Sequence, residues 1–263
     1  MSNILETIVE ATKVRVEKSK EIKLLHQVMD EAYEMADGAE KFVFEKNLSE
    51  DTVSFICECK KASPSKGLIA PDFPYVSIAK DYEAAGAAAI SVLTEPQWFK
   101  GELSYLKEIT ENVKTPCLRK DFTVDEYMIY EAKANGASAI LLICSILSSK
   151  QMEQYIKIAD ELGMSALVEA HDKEEVNVAL GVGGRVIGVN NRDLKTFSVD
   201  PLNCLRLREY IPEDKFFVAE SGVKTPEDIY RLKENKVNAV LIGESIMRSP
   251  DKKAFINDLR SLI

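Results

Sequence analysis

Residues 84–93 have the sequence AAGAAAISVL, and the same order of features returns as KANGASAILL at 133–142 and KVNAVLIG at 236–243. In each stretch the end of a helical pattern is followed by small residues and then by a short apolar run. Gly86 and Gly136 stand where a helix is expected to end and the chain to turn back. A short apolar run without alternation is typical of a strand buried on both faces. One supersecondary unit therefore repeats along the chain.

Eight such apolar runs follow one another from residue 53 onward. They are VSFICECK (53–60), AAAISVL (87–93), TPCLRK (115–120), ASAILLI (137–143), SALVEA (165–170), RVIGVN (185–190), KFFVAE (215–220) and NAVLIG (238–243). Amphipathic helices are predicted between them; one begins with a capping box at Ser148 and Gln151 and ends at Gly163, and another has Pro226 in its first turn. Strands that alternate with helices pair in parallel. Eight units predict an α/β fold of the (β/α)8 TIM barrel type, with an open doubly wound sheet as the alternative.

The first 50 residues lack this repeat. A charged helical pattern runs from Ile4 to Met35, and an extended bridge, GAEKFVFEKNLSED (38–51), leads to the first strand. We predict a single barrel domain over residues 1–263. In it, residues 1–50 form an N-terminal helical extension packed on the barrel, and residues 51–263 form the eight βα units.

The composition is that of a soluble globular protein: 46% of the 263 residues are hydrophobic, 29% are charged and the net charge is −9. No apolar run approaches the roughly 20 residues that span a bilayer, and the start MSNILETIVEATK lacks the order of a signal peptide. The excess of acidic side chains repels polyanions, so neither nucleic acid nor a membrane is an expected partner. The five cysteines suit reduced thiols, and we expect a cytoplasmic protein.

Polar or charged side chains stand at the carboxyl ends of nearly all eight runs, where barrel enzymes carry their active sites. Because side chains alternate along a strand, Glu58 and Lys60 are expected to face the barrel interior with Ile56. Cys57 and Cys59 then face the helices. A Cys-x-Cys metal site is the alternative for these two, but no companion pair at zinc spacing occurs, and no metal is expected.

Charges directed into a barrel mouth are costly unless they are paired, so the strand-end charges are expected to form a network. Its members are Glu58, Lys60, Lys120, Glu169 and Glu220. Neighbouring carboxylates keep a lysine protonated and able to donate, and partial burial raises a glutamate toward useful basicity. The network is suited to acid/base catalysis.

Two glycine turns indicate a phosphate site. ESG (220–222) ends the seventh run and IGES (242–245) ends the eighth, and barrels often bind phosphate at this place through backbone N–H groups. Glycine lets the backbone approach the anion closely. Two ordinary turns are the alternative. The predicted partner is therefore a small phosphate-bearing molecule.

Seven motifs in the correct order resemble those of the indole-3-glycerol phosphate synthase family. The most specific is ECKKASPSKG (58–67), and the others are LTEPQWFKG (93–101), PCLRKDF (116–122), ALVEAH (166–171), IGVNNRDLKTF (187–197), AESG (219–222) and VLIGES (240–245). The resemblance implies a (β/α)8 enzyme of tryptophan biosynthesis. It would convert 1-(2-carboxyphenylamino)-1-deoxyribulose 5-phosphate to indole-3-glycerol phosphate, with loss of carbon dioxide and water and without a cofactor.

The resemblance also implies roles for individual residues. Lys120 matches the general acid that protonates the ketone oxygen, Glu169 matches the base of the dehydration, and Lys60 shares in proton transfer and substrate contact. The polar groups that orient them match Glu58, Asn190 and Glu220. The substrate-binding matches are Ser63, Phe99, Phe122, Arg192, Ser221, Gly222, Gly243 and Glu244. Residues 65 and 66 lie in a loop that resembles the family's mobile lid.

Other hypotheses remain open at this stage. A related phosphate-binding barrel, such as phosphoribosylanthranilate isomerase or a lysine Schiff-base aldolase, is one, and a non-catalytic anion-binding scaffold is another. For His171, directly after the ALVEA strand, we expect a loop or helix-cap role, and for His26 surface or helix packing. We expect a monomer, with a weak dimer as the alternative.

Overall fold

The computed structural model describes residues 4–48, 52–193 and 197–263. Its strands are β1 (Ser54–Cys59), β2 (Ala62–Ser63), β3 (Gly67–Leu68), β4 (Ala89–Leu93), β5 (Cys117–Lys120), β6 (Ala139–Ile143), β7 (Ser165–Ala170), β8 (Val186–Asn190), β9 (Phe216–Glu220) and β10 (Ala239–Ile242). The short β2 and β3 form an antiparallel hairpin, and the other eight strands close into a barrel in the order β1-β10-β9-β8-β7-β6-β5-β4.

Helices surround this barrel. They are α1 (Ile4–Ile22), α2 (Leu25–Ala36), α3 (Val43–Lys46), α4 (Tyr75–Ala84), α5 (Leu103–Thr110), α6 (Tyr127–Ala134), α7 (Ser149–Glu161), α8 (Lys173–Gly181), α9 (Asn203–Leu207), α10 (Pro226–Glu234), α11 (Glu244–Arg248) and α12 (Lys252–Leu259), with a 3-10 turn at Arg208–Tyr210. None of the helices within the described ranges is both long enough and apolar enough to cross a membrane.

The predicted TIM barrel is confirmed. Every predicted strand is present with its ends within two residues of the expected ones. The open-sheet alternative is wrong, because β1 pairs in parallel with both β4 and β10 and so leaves no free edge. The local signals hold as well: Ser148 and Thr225 cap α7 and α10 through their side chains, and Gly163 has a left-handed backbone after α7.

Two apolar layers account for the stability of this arrangement. The inner layer fills the barrel and contains Ile56, Leu118 and Leu167; the outer layer lies between strands and helices and contains Cys57 and Cys59. Strand alternation in β1 is therefore as predicted. All five cysteines are free, and burial raises the pKa of the Cys57 thiol to about 12, so this thiol stays protonated at neutral pH.

The N-terminal residues are helical, as predicted, but two details differ. The helical pattern from Ile4 to Met35 is divided into α1 and α2 by a break at residues 23–24. The bridge at 38–51 is not extended throughout, since α3 forms within it; residues 49–51 of that bridge lie outside the described ranges. A helix of four residues is too short to show an apolar period, which explains why the sequence pattern missed it.

The α3 segment closes the amino-terminal end of the barrel. Phe44 and Leu48 are fully buried and belong to the inner apolar layer. Beside them, the Glu45 carboxylate accepts hydrogen bonds from Arg185 Nε at 3.0 Å and from Ser165 Oγ at 3.1 Å. Because β7 begins at Ser165 and β8 directly after Arg185, these bonds fix α3 against the base of the barrel.

We expect Phe44→Ala to lower the free energy of unfolding by about 3–5 kcal/mol, because the change leaves a cavity in the inner layer. Urea denaturation monitored by circular dichroism measures the change. Met35→Ala is the matched control, since Met35 is on the same extension but half exposed at 49%. Equal losses for the two variants would contradict a plugging role for Phe44.

Candidate active site

A cavity of about 670 Å³ opens at the carboxyl ends of the barrel strands. All of the predicted site residues line it: Glu58, Lys60, Ser63, Phe99, Lys120, Phe122, Glu169, Asn190, Arg192, Glu220, Ser221, Gly222, Gly243 and Glu244. They come from seven of the eight barrel strands or the loops that follow them, and the closed barrel brings them together. Residues 194–196 of the motif IGVNNRDLKTF lie outside the described ranges.

Lys120, the last residue of β5, lies among carboxylates. Its Nζ atom is 3.5 Å from Glu169 Oε2 and 3.7 Å from Glu220 Oε2. Burial by itself lowers the pKa of Lys120, but the carboxylates of Glu169 and Glu220 outweigh burial and raise this pKa above its ordinary value. The ammonium group is therefore charged at neutral pH and can donate a proton or hydrogen bond.

Glu169 and Glu220 differ in protonation state at neutral pH. Burial opposes ionisation of Glu169, yet Lys120 and His171 lower its pKa below the ordinary value. Burial and the Glu169 carboxylate raise the pKa of Glu220 to about 8. At neutral pH the pair therefore holds one proton, on Glu220, and Glu169 is the ionised member. One buried ammonium group then faces one buried carboxylate, which limits the cost of burying charge.

A second ion pair lies on the neighbouring side of the cavity. Lys60 Nζ contacts Glu58 Oε1, and both side chains are largely buried. Gly243 at the end of β10 makes room for them, because a Cβ atom at this position would overlap Glu58 Oε1 and crowd Lys60 Nζ. The glycine at 243 is thus needed for close approach of the pair to the backbone.

Asn190 connects the carboxylates to the β8 loop. Its Nδ2 atom donates to Glu169 Oε1 at 3.3 Å, and its Oδ1 atom accepts from the Arg192 backbone N–H at 3.0 Å. In the register of β8 and β9, Asn190 stands opposite Glu220. Gly188, two residues earlier, leaves the space that the Glu220 carboxylate occupies. The strand pairing therefore determines which polar groups meet.

The turn after β9 has an unusual backbone. Ser221 has a φ of 67° and Gly222 a φ of 89°, and the former is uncommon for a residue with a side chain. Non-glycine residues held in this region cluster at functional sites. Lys224, Ser245 and Arg248 line the same end of the cavity and were missed by sequence reasoning. Ser245 is the last residue of the IGES turn and Lys224 lies two residues after Gly222, which was an available signal; Arg248 lies within α11.

An apolar wall stands on another side. The rings of Phe99 and Phe122 lie with their centroids 6.1 Å apart and their planes at 44°. The buried Glu95 carboxylate fixes the loop that carries Phe99 by accepting hydrogen bonds from the backbone N–H groups of residues 97, 98 and 99 at 2.8–2.9 Å. Glu95 thus serves loop geometry, although it stands at a strand end in the sequence.

The N-terminal helix reaches the mouth of the barrel. Ile4, Leu5 and Ile8 of α1 line the cavity, and Arg15 of the same helix donates to Asp121 Oδ1 at 2.8 Å and to the Thr94 carbonyl at 3.2 Å. Sequence reasoning predicted that α1 packs on the barrel but did not identify these lining residues. The apolar face of α1 is visible in the sequence as a helical repeat of apolar residues. That repeat does not indicate which part of the barrel the face covers.

The first βα loop lines the cavity and approaches Glu244, which follows β10. The hairpin of β2 and β3 carries Ser63, whose buried Oγ atom makes no hydrogen bond within the described part of the chain and faces the cavity. Lys66 Nζ in the same loop lies 3.8 Å from Glu244 Oε1. A loose contact of this kind between partly exposed groups contributes little stability.

His171 lies behind the site rather than in it. It lines a smaller neighbouring cavity together with Ser145 and Asp172, and does not line the large one. Of the two roles expected for His171, the structure agrees with the loop, between β7 and α8, and not with the helix cap: the N-cap of α8 is Asp172, whose side chain accepts from the Glu175 N–H. His26 is exposed on α2. In the described part of the chain, no group of three or more His, Cys, Asp or Glu residues is arranged to hold a metal ion.

Comparison with known proteins agrees with this geometry. The sequence profile of the family Indole-3-glycerol phosphate synthase matches residues 5–259. The indole-3-glycerol phosphate synthase of Ruminiclostridium cellulolyticum is 53% identical over 257 residues, which cover 98% of each chain. That of Endomicrobium trichonymphae is 53% identical over 258 residues, covering 98% of this chain and 99% of the relative. A crystal structure of 3-hexulose-6-phosphate synthase has a TM-score of 0.66 over 80% of this chain and all of its own, at 14% identity, a similarity of fold alone.

Proposed function

Because the chain belongs to the indole-3-glycerol phosphate synthase family, we propose that its large cavity performs the family's reaction with Lys120 as general acid and Glu169 as general base. The enzyme is a carboxy-lyase of tryptophan biosynthesis. It converts 1-(2-carboxyphenylamino)-1-deoxyribulose 5-phosphate to indole-3-glycerol phosphate, carbon dioxide and water. The observation that carries the assignment of roles is the position of the Lys120 ammonium group, 3.5 Å from Glu169 and 3.7 Å from Glu220 at the cavity floor.

Ring closure needs an acid. The ring carbon that bears the carboxylate attacks the ketone carbon, and negative charge develops on the ketone oxygen as the bond forms. Lys120 supplies the proton, supported by the raised pKa that keeps it charged and by its central place among the strand ends. Loss of carbon dioxide then restores the aromatic ring, and the apolar wall of Phe99 and Phe122 favours departure of the carboxylate as a neutral gas.

Dehydration needs an acid and a base. The hydroxyl made from the ketone leaves as water once it is protonated, and the carbon next to the amine loses a proton to form the indole double bond. Glu169 takes that proton, supported by the lowered pKa that keeps it ionised at neutral pH. Lys120 or Lys60 protonates the leaving hydroxyl. Glu58, Asn190 and Glu220 orient these groups.

The two ends of the substrate have separate supports in the cavity. We assign the anthranilate ring to the Phe99 and Phe122 wall and the phosphate to the opposite end. The phosphate contacts are Ser63, Arg192, Ser221, Gly222, Gly243 and Glu244, the last three through their backbone. A net charge of −9 does not oppose this, because the cations that line the cavity act at short range.

The whole chain is proposed to work as one domain and as a monomer. The proposal is supported by α1, since Ile4, Leu5 and Ile8 of the same chain help to line the cavity. Residues 1–50 are then an extension of the barrel, not a separate module. A cytoplasmic location is supported by the five free cysteines, because thiols persist in reducing compartments.

The purified protein incubated with 1-(2-carboxyphenylamino)-1-deoxyribulose 5-phosphate tests the function directly. We expect the ultraviolet absorbance and the fluorescence of an indole to appear, with release of one carbon dioxide per indole. Binding without indole formation would favour an anion-binding scaffold. A borohydride-trapped adduct between Lys120 and the keto-sugar phosphate would favour Schiff-base chemistry and contradict simple proton donation.

A further inference from the structure

His171 is joined to the Glu169 carboxylate and to α8 at once. Its Nε2 atom lies 3.6 Å from Glu169 Oε1, and its Nδ1 atom lies 3.1 Å from Glu175 Oε2. The same Glu175 oxygen accepts from the His171 backbone N–H at 2.8 Å. The ring is therefore held from behind by α8 while its front edge faces Glu169.

The two oxygens of Glu169 have different neighbours. Oε1 faces the nitrogen donors of Asn190 and His171, at 3.3 Å and 3.6 Å, and Oε2 faces Lys120. A carboxylate held at one oxygen keeps the other in a defined direction. The contacts to Oε1 therefore also orient Oε2, the oxygen that faces Lys120.

Acidic groups face the His171 ring from several elements. They are Glu169 on β7, Glu220 on β9, Glu175 on α8, the α8 N-cap Asp172, and Asp193 and Asp200, which line the smaller cavity with His171. Burial alone lowers the pKa of His171, but the bond to Glu175 and the charge of Glu169 raise it to about 9. The ring is then an imidazolium at neutral pH, with both nitrogens able to donate.

We propose that His171 is a positioning residue for the reaction, anchored on Glu175 and holding the Glu169 carboxylate oriented and ionised. This inference rests on the proposed role of Glu169 as the base. His171 acts through Glu169, because Glu169 lines the large cavity and His171 does not.

The coupling can be measured without turnover. The chain has only two histidines, His26 and His171, so a histidine-selective NMR titration of the intact protein resolves both, and the His171→Gln variant assigns them. We expect a His171 pKa of about 9 in the unaltered protein. Glu169→Gln and Glu175→Gln should each lower it, because each removes a negative partner. A His171 pKa unchanged by Glu169→Gln would overturn the proposal.

The pH profile of kcat/KM gives the second readout. Loss of the imidazolium in His171→Gln raises the pKa of Glu169, so we expect the acidic limb to move to higher pH by about one unit. Activity then falls about tenfold at acidic pH, and the deficit shrinks as pH rises and Glu169 ionises. KM should change little, since His171 does not line the large cavity.

Glu175→Gln is the matched variant. Glutamine still accepts the His171 backbone N–H, and His171 remains protonated at acidic pH, so the acidic limb should stay in place. A merely structural role for the loop would instead lower activity at every pH in both variants, and that result would overturn the proposal. If Glu169→Gln keeps normal turnover, the proposed base itself is wrong. If Glu169→Gln is inactive and the His171→Gln limb is unmoved, only the inference about His171 fails.

Discussion

Lys120→Ala is expected to lower kcat at least about 100-fold, the scale on which a general acid contributes. The variant loses the ammonium group that lies 3.5 Å from Glu169 and 3.7 Å from Glu220, which is the proposed proton donor to the ketone oxygen. Steady-state assays of indole formation measure the loss. KM should change less than kcat, because the phosphate and ring contacts are made elsewhere in the cavity.

A second consequence makes the loss of activity in Lys120→Ala larger than the loss expected for Glu169→Gln. Without the ammonium group, Glu169 and Glu220 face each other with no cation between them, and their pKa values rise. Glu169 is then protonated over part of the neutral range and cannot act as a base. Lys120→Ala therefore removes the acid and weakens the base, and its remaining activity should increase with pH.

The matched control for this variant is Lys114→Ala. Lys114 is an exposed lysine just before β5, at the opposite end of the strand that Lys120 ends, and turnover should be unaffected. Circular dichroism of both variants checks that the barrel is folded. Near-normal turnover in a folded Lys120→Ala protein would contradict the role of general acid.

Glu169→Gln is expected to lower kcat by at least about 100-fold through loss of the base. The amide has nearly the size of the carboxylate and can still accept from Asn190, so the local geometry should persist. Without the Glu169 charge, Glu220 ionises more readily, because that charge is one of the causes that raise its pKa to about 8. An ionised Glu220 keeps Lys120 protonated, so the variant tests the base separately from the acid.

Dehydration is the step that should fail in this variant. Rapid-quench assays are therefore expected to show carbon dioxide release without matching indole formation, whereas Lys120→Ala should block both. Glu174→Gln is the control, because Glu174 is exposed in the first turn of α8, close in sequence to Glu169. Equal loss of carbon dioxide release and indole in Glu169→Gln would contradict a role limited to the late proton transfer.

The barrel was predictable because each unit carries its own local signals. Apolar runs without alternation mark strands buried on both faces, and capping residues such as Ser148 and Thr225 mark helix starts. These signals lie within a few residues of one another. Their number favoured a closed barrel, because open doubly wound sheets usually have five or six strands, and the pairing of β1 with β4 and β10 confirms closure.

The polar residues of the site were predictable for a related reason. In a parallel barrel all strands end at one face, so a side chain's place at a strand end is enough to bring it near the others. Glu58, Lys120, Glu169 and Glu220 meet in this way. Protonation states were less accessible, because the proton on Glu220 depends on its distance from Glu169 and on burial, neither of which appears in a sequence.

Contacts across the fold were not predictable. Ile8 of α1 reaches the mouth, Phe44 of α3 fills the base, and His171 bridges Glu169 to Glu175. Each depends on how a helix or loop is placed on the finished barrel. The sequence indicates that an apolar or charged side chain of this kind needs a partner. Which residue becomes that partner depends on the tertiary structure.

The burial of Phe44 at the base of the barrel also imposes an order on the folding events. Phe44 is synthesised before all eight barrel strands, yet the apolar layer that buries it includes Ala239 of the last strand, β10. Until β10 pairs with β1 there is no closed interior for Phe44 to enter. Phe44 therefore stays unburied while the eight barrel strands are synthesised, and its docking should be among the last events of folding.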